Sequence, residues 1–186
     1  VPQDILEVDK YLSKFTFSAD SVKPYDIKRL SEDARRDLYR ANKIANNYGS
    51  ITELKGCDMP ETDLLVYSFP CQDLSTGGLG KGMSKGSGTR SGMLWEVERL
   101  LDECQELPQI LLMENVAAIT SAKNLEDFKA WQDKLESLGY SNYFKILNSK
   151  DYKIPQNRQR CFMVSILGGC GFTFPPTTPL EIRLKD

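Results

Sequence analysis

The chain has 186 residues, of which 40% are hydrophobic and 27% charged, and its formal net charge is −2. That suits one globular domain with room for a core, and it excludes a strongly basic coat that would hold nucleic acid by charge alone. No uncharged apolar run reaches membrane length, no signal-peptide pattern opens the chain, and histidine is absent, which removes Cys–His dyads, Ser–His–Asp triads and histidine-held metals. Cys57, Cys71, Cys104, Cys161 and Cys170 are odd in number and never spaced C-x-x-C. Neither a disulfide framework nor a zinc ribbon is indicated, and a reducing, cytoplasmic setting fits.

Taken in order, residues 4 to 8 read as the end of a strand, with Asp9 to Leu12 opening a short helix. An acid just past a strand end can grip ribose hydroxyls, or simply cap a helix. Pro24 to Leu30 reads as irregular. Ser31 offers an N-cap with Glu32 and Asp33 behind it, and the helix runs to about Ala45 before Asn46 to Gly49 end it. Asp63 to Tyr67 is a short apolar run, read as a buried parallel strand that Pro70 stops. Cys71 then sits at the carboxyl end of a strand, where open α/β sheets place their ligands. It is a candidate nucleophile, or a small buried hydrophobe as free cysteines usually are.

The glycines between Thr76 and Gly88 cost too much backbone entropy for a fixed element, so a mobile segment is expected, either a lid or a plain linker. Its spacing does not match a phosphate-binding P-loop. Lys81, Lys85 and Arg90 make residues 76 to 90 locally basic. Lys145, Lys150, Lys153, Arg158 and Arg160 do the same for 143 to 161, as a phosphate-facing side or a solvated surface.

Met93, Val97, Leu100, Leu101 and Cys104 fall at helical spacing on one face, and Pro108 ends that helix. Gln109 to Met113 reads as a fully buried strand, with Glu114 and Asn115 at its carboxyl end. A carboxyl group partly desolvated there could hold a proton at neutral pH, or cap a following helix. Leu125, Phe128, Trp131, Leu135 and Leu138 mark another helix, ended by Gly139. Tyr143 to Leu147 and Cys161 to Ile166 read as strands. The arginines of Gln156 to Arg160 lie between them, as surface residues or as a bidentate clamp for base and phosphate oxygens. Phe174 to Pro179 reads as an extended exit linker.

Together these pieces resemble the DNA cytosine-5 methyltransferase family. S-F-P-C-Q-D-L-S at 68–75 is similar to its nucleophile motif, M-E-N-V at 113–116 to its Glu-Asn-Val motif and Q-N-R-Q-R at 156–160 to its Q-x-R-x-R motif, in the family's order. T-R-S-G-M-L-W-E at 89–96, G-Y at 139–140, L-N-S-K-D-Y at 147–152 and the acidic segment Glu7 to Tyr11 extend the likeness over nearly the whole chain. The resemblance implies a Rossmann-like, doubly wound α/β sheet that is incomplete here, and transfer of a methyl group from S-adenosylmethionine to carbon 5 of a cytosine flipped from duplex DNA. Cys71 would add to carbon 6, Glu114 would hold ring nitrogen 3, Arg160 would contact the cytosine carbonyl, Arg158 would steady phosphate or the loop, and Asn115 would orient the backbone. The cofactor would meet Glu7, Val8, Ser50, Ile51, Phe69, Pro70 and Met93. DNA would meet Gln72, Ser75, Lys81, Lys85 and Arg90. No metal is implied. Residues 1 to 174 would be part of the catalytic domain, with 20 to 45 inserted and 76 to 90 the active-site loop. Residues 175 to 186 would lead toward a target-recognition domain.

Three departures accompany the likeness. Ser50 stands where the family usually has Asp, and accepts only a weaker hydrogen bond. Residues 20 to 45 exceed compact members. The Gly-rich first motif, the target-recognition domain and the last two motifs are not in this sequence, so the chain is expected to be a fragment or one piece of a split enzyme that meets its remaining segments. A bacterial or phage-infected cytoplasm, with restriction-modification, is the family's usual setting. The rivals are a catalytically silent DNA- or partner-binding remnant, and an unrelated thiol hydrolase, which would lack a base for Cys71.

Overall fold

In a computed structural model that describes residues 1–18, 23–71, 74, 83–86, 88, 91–169 and 171–178, the chain falls into two units, Val1–Leu54 and Lys55–Asp186. The first unit departs at once from the expected strand. Ile5–Leu12 is a helix, α1, whose N-cap Asp4 accepts the Leu6 N–H at 2.9 Å. Val8 and Leu12, four residues apart, are both fully buried. A short apolar run carries no period that separates strand from helix; the cap and the i,i+4 pair decide for helix. The second helix, α2 at Glu32–Ile44, starts as expected, with Ser31 Oγ accepting the Ala34 N–H at 3.2 Å and Glu32 and Asp33 in the first turn. Tyr11 donates to Asn42 at 2.7 Å, and Arg35 pairs with Asp9 at 2.5 Å, which fastens α2 to α1. Within the stretch read as irregular, Ile27–Arg29 forms a 3₁₀ turn capped by Asp26.

The second unit is built on a four-stranded sheet in the order β1-β2-β4-β3, with β1 at Leu64–Tyr67, β2 at Ile110–Val116, β3 at Tyr140–Asn148 and β4 at Gln159–Leu167. β1 runs parallel to β2, whereas β2 with β4 and β3 with β4 are antiparallel. The unit is thus mixed α/β with a partial sheet. Two helices follow β1 and β2: α3 at Leu94–Glu103 and α4 at Leu125–Ser137.

One sheet face is covered. Tyr67, Leu111, Met113, Cys161 and Met163 lie on it and are buried, and Trp131 of α4 is fully enclosed against it. Trp131 donates its indole N–H to Tyr67 Oη at 2.9 Å and meets Trp95 of α3 edge-on at 6.2 Å. On the other face Leu64 is 47% exposed, Val66 59% and Ile110 39%. The expectation that both strands are fully buried is therefore corrected: each is buried on one side only, because helices cover a single face. Leu125, expected on the buried stripe of α4, is also exposed; it begins the helix, before the stripe formed by Phe128, Trp131 and Leu135.

The buried thiol and phenols of this core set an alkaline limit. Burial pushes the Cys161 thiol from 9.0 up to about 11 and the Tyr140 hydroxyl from 10.0 up to about 12, and raises Tyr67 further. Each group is neutral when folded, so an unfolded chain loses these protons first. Their stabilising contribution is complete below pH 9.0 and disappears as pH rises through the folded values. The urea midpoint is expected to be unaffected by these groups below pH 9.0 and to fall between there and about 12, with Cys161→Ala removing the earliest part of that fall.

The tail does not leave the unit as a free linker before residue 179. Thr178 N–H donates to Asp151 O at 2.7 Å and Tyr152 Oη donates to Pro175 O at 3.2 Å. Among the described residues no helix is long and apolar enough to cross a membrane.

Candidate active site

The carboxyl ends of β1 and β2 and the amino end of β4 meet at one end of the sheet, since Tyr67 stands opposite Met113 and Val116 opposite Arg160. Alternation along β2 sends neighbouring side chains to opposite faces. Asn115 goes to the covered face, where it is 2% exposed; its amide donates to Phe69 O at 3.0 Å and its carbonyl accepts the Val116 N–H at 2.8 Å. Glu114 goes to the open face, and so does Arg160. Arg160 Nε lies 2.9 Å from Glu114 Oε1, and the two side chains are 23% and 33% exposed. Ser68 Oγ reaches Glu114 Oε2 at 3.4 Å. The carboxyl group read as partly desolvated, or as a helix cap, is an ion-pair partner, because the antiparallel register brings a guanidinium beside it.

Cys71 is carried by the segment that leaves β1. Phe69 is buried with its carbonyl on Asn115, Ser91 Oγ donates to Pro70 O at 2.7 Å, and Leu74 N–H donates to Cys71 O at 3.0 Å. Cys71 itself is half-buried with a free thiol. The nucleophile candidate thus rides on a backbone pinned from β2 and from the 3₁₀ turn Ser91–Met93. Arg158 is exposed, and its backbone is engaged, its N–H donating to Asn148 Oδ1 at 3.0 Å and its carbonyl accepting the Ser149 N–H at 3.1 Å. Asn148, which is 7% exposed and also donates to Asn157 at 2.7 Å, holds the Gln156–Arg158 loop. Sequence reasoning gave Asn148, Ser68 and Ser91 no role; an asparagine closing a strand beside an arginine-rich loop was the one available signal.

The structure brings Glu114 and Arg160 into contact and ties the Cys71 segment to the next residue, Asn115. Among the residues expected at DNA, Gln72, Ser75, Lys81 and Arg90 lie outside the described residues. Lys85 does not face open solvent alone: its Nζ is 2.6 Å from Glu98 Oε2 and 5.5 Å from the Trp95 ring centre. Next to it Met83 is fully buried and its carbonyl accepts the Trp95 indole N–H at 2.7 Å. The described end of the Gly-rich stretch is thus tied to α3 through Lys85 and Met83. Of the cofactor candidates, Glu7, Val8, Ser50 and Ile51 belong to the first unit, and Phe69, Pro70 and Met93 to the second. Glu7 is exposed and Val8 fully buried. Ser50 shares a 2.7 Å hydrogen bond with Thr52 and lines an open cleft with Phe15, Phe17, Gly49 and Glu53. Among the described residues, no three cysteine, aspartate or glutamate side chains are grouped to hold a metal ion.

Asn115→Ala strips the Phe69 carbonyl and the Val116 N–H of a buried partner. It is expected to cost about 1–3 kcal/mol in urea unfolding. Release of the pinned backbone should also speed maleimide labelling of Cys71, measured by mass spectrometry of its peptide.

Comparison with known proteins places these observations in a family. The family model described as C-5 cytosine-specific DNA methylase matches residues 27–180. The orphan methyltransferase M.SssI of Spiroplasma monobiae is 46% identical over 169 residues, covering 87% of this chain and 44% of that protein. The type II methyltransferase M2.ScrFI of Lactococcus lactis subsp. cremoris is 40% identical over 159 residues, covering 85% of this chain and 44% of that protein. This chain thus spans less than half the length of either. The structure of the Entamoeba histolytica methyltransferase EhMeth superposes with a TM-score of 0.53 over 97% of this chain and 52% of that one at 17% identity, a likeness of fold. With the family model spanning residues 27–180 and relatives this similar, the chain belongs to the C-5 cytosine-specific DNA methylase family.

Proposed function

We propose that this chain is the catalytic portion of an enzyme that methylates cytosine in duplex DNA at carbon 5, with residues 1 to 174 in the catalytic domain, 20 to 45 an insertion, 76 to 90 the active-site loop and 175 to 186 a lead to further segments. The observation that carries the proposal is the meeting of Glu114 with Arg160 at 2.9 Å on the sheet end whose Asn115 pins the Cys71 segment. Three residues from three distant parts of the chain serve one small planar ring there. Cys71 adds to carbon 6 of an extruded cytosine. Glu114, already bridged to Arg160, holds ring nitrogen 3 so that charge does not build on the base as carbon 5 becomes nucleophilic, and Arg160 takes the ring carbonyl. Arg158 steadies phosphate, and Asn115 keeps the backbone under Cys71 in place. Lys85 reaches DNA only by giving up Glu98; Gln72, Ser75, Lys81 and Arg90 are its companions in that contact.

S-adenosylmethionine supplies the methyl group when bound. The cleft at Ser50 fits its nucleoside end, because aromatic rings, a hydroxyl and a carboxylate line one opening and suit stacking with polar grip. Glu7, Ser50 and Ile51, all in the first unit, would hold that end. Ser50 accepts the adenine amine more weakly than Asp would. The setting is the cytoplasm of a bacterial or phage-infected cell, in restriction-modification.

The test replaces the matching segment of the Spiroplasma relative with this chain and incubates the purified chimera with S-adenosylmethionine and duplex DNA carrying 5-fluorocytosine. A denaturant-stable protein–DNA adduct attached at Cys71 is expected. A folded chimera that binds S-adenosylmethionine by calorimetry yet yields neither adduct nor methylated cytosine would overturn the proposal and favour a silent DNA-binding module.

A further inference from the structure

Cys57 and Cys104 have no part in the proposed reaction, yet both line one small cavity with Met59, Pro60, Glu61 and Gln105. Cys57 lies in the 3₁₀ turn Gly56–Asp58 that precedes β1, and Cys104 is the C-cap of α3. The two backbones touch at Gly56. A Cβ there would stand 2.5 Å from both Leu100 O and Glu103 Cβ and 2.8 Å from Cys104 N, so only glycine permits this approach. The Gly56 N–H donates to Glu103 Oε2 at 2.8 Å, which holds the turn against the helix end. Cys57 is the next residue, its Cα one step of about 3.8 Å away. A disulfide needs Cα atoms roughly 4.4–6.8 Å apart, a separation this contact brings within reach.

The two thiols also differ as an exchanging pair should. Cys57 is exposed. Cys104 is half-buried, its sulfur donating to Leu101 O at 3.2 Å, and burial pushes its thiol up. Entry from solvent therefore falls to Cys57.

We propose that Cys57 and Cys104 are a dithiol modification site that closes to an intramolecular disulfide by exchange with a small disulfide of the glutathione class. The Cys57 thiolate attacks one sulfur of the oxidised tripeptide dimer, forming a mixed disulfide and expelling one tripeptide thiolate, which takes up a proton. The Cys104 thiolate then attacks the Cys57 sulfur and expels the second. Two protein thiols are oxidised, one small disulfide is reduced to two thiols, and no other reactant is needed. The closed ring runs from 57 to 104 and encloses β1, Cys71 and α3. It clasps the base of the segment that presents Cys71 without consuming that residue, and it does not depend on the methyl-transfer reading.

The test equilibrates the chain with oxidised glutathione, blocks remaining thiols with iodoacetamide and maps cysteine peptides by mass spectrometry before and after dithiothreitol. The expected product is a linked Cys57–Cys104 peptide pair, with a rise in thermal midpoint that dithiothreitol reverses. Cys57→Ser and Cys104→Ser should each abolish both the link and the rise. Recovery of Cys104 fully alkylated beside a glutathione adduct on Cys57 would overturn the proposal, as would a link from either residue to Cys71. Mapping on the unsubstituted chain decides the matter even if a serine variant folds poorly.

Discussion

Cys71→Ser is expected to lower methyl transfer by about three orders of magnitude or more, measured as tritiated methyl incorporation into DNA by the chimera. The reason lies in what surrounds the residue. A serine hydroxyl needs a general base to become a nucleophile, and the chain has no histidine to provide one. The thiol at Cys71 needs less help, because sulfur is intrinsically far more nucleophilic than a hydroxyl oxygen. Serine is close in size, and Cys71 is only half-buried, so the fold should persist. Binding of S-adenosylmethionine should be unchanged by calorimetry while the adduct with 5-fluorocytosine disappears. Retention of more than about a tenth of the rate would show that another group attacks the base, since loss of a covalent nucleophile costs far more than tenfold.

Trp131→Ala should produce the largest loss of stability, about 3–5 kcal/mol from the removed ring and the cavity it leaves. That is a large share of the roughly 5–15 kcal/mol that stabilises an ordinary domain. Trp131 is fully buried, faces Tyr67 at 6.1 Å and Trp95 at 6.2 Å, and supplies a 2.9 Å hydrogen bond to Tyr67 Oη. Trp131→Phe keeps much of the volume but leaves that phenol oxygen without its donor, so its cost should fall nearer 1–3 kcal/mol. Urea midpoints of the two variants separate packing from hydrogen bonding. Both variants remove the hydrogen bond to Tyr67, so the difference between them reports packing, and equal midpoints would mean that the ring's bulk contributes nothing. Because Tyr67 ends β1, the alanine variant should also loosen the segment that bears Cys71.

Much of this architecture was legible from local patterns. The run at 64–67, the apolar stretch opening at Ile110 and the helical stripe through Phe128 and Trp131 stand where they were read, while β3 opens three residues earlier, at Tyr140, and β4 takes Gln159 and Arg160 from the expected loop. The start of the chain was not legible, because Ile5 to Val8 is too short for a period and Asp4 reads equally as turn or cap. β2 continues through Glu114, Asn115 and Val116, three residues beyond its apolar core. Strand length there is set by pairing with β4, which propensity does not reveal. The same holds at the site. Cys71, Glu114 and Arg160 each advertised themselves by motif, but the contact between Glu114 and Arg160 depends on a register between segments about fifty residues apart. The engagement of Lys85 with Glu98 and Trp95 was hidden in a stretch whose glycines suggested only freedom.

The strand order β1-β2-β4-β3 has a consequence for how the molecule comes into being. Only β3 and β4 are joined by a short connection, Asn148 facing Gln159 across it. β2 lies between β1 and β4, so during synthesis its apolar residues gain their second neighbour only after the ribosome has passed Leu167. A nascent chain therefore carries Leu111, Leu112 and Met113 half-paired for the time it takes to make about fifty more residues. The ion pair between Glu114 and Arg160 is joined by that same last insertion, so an incompletely made chain lacks it.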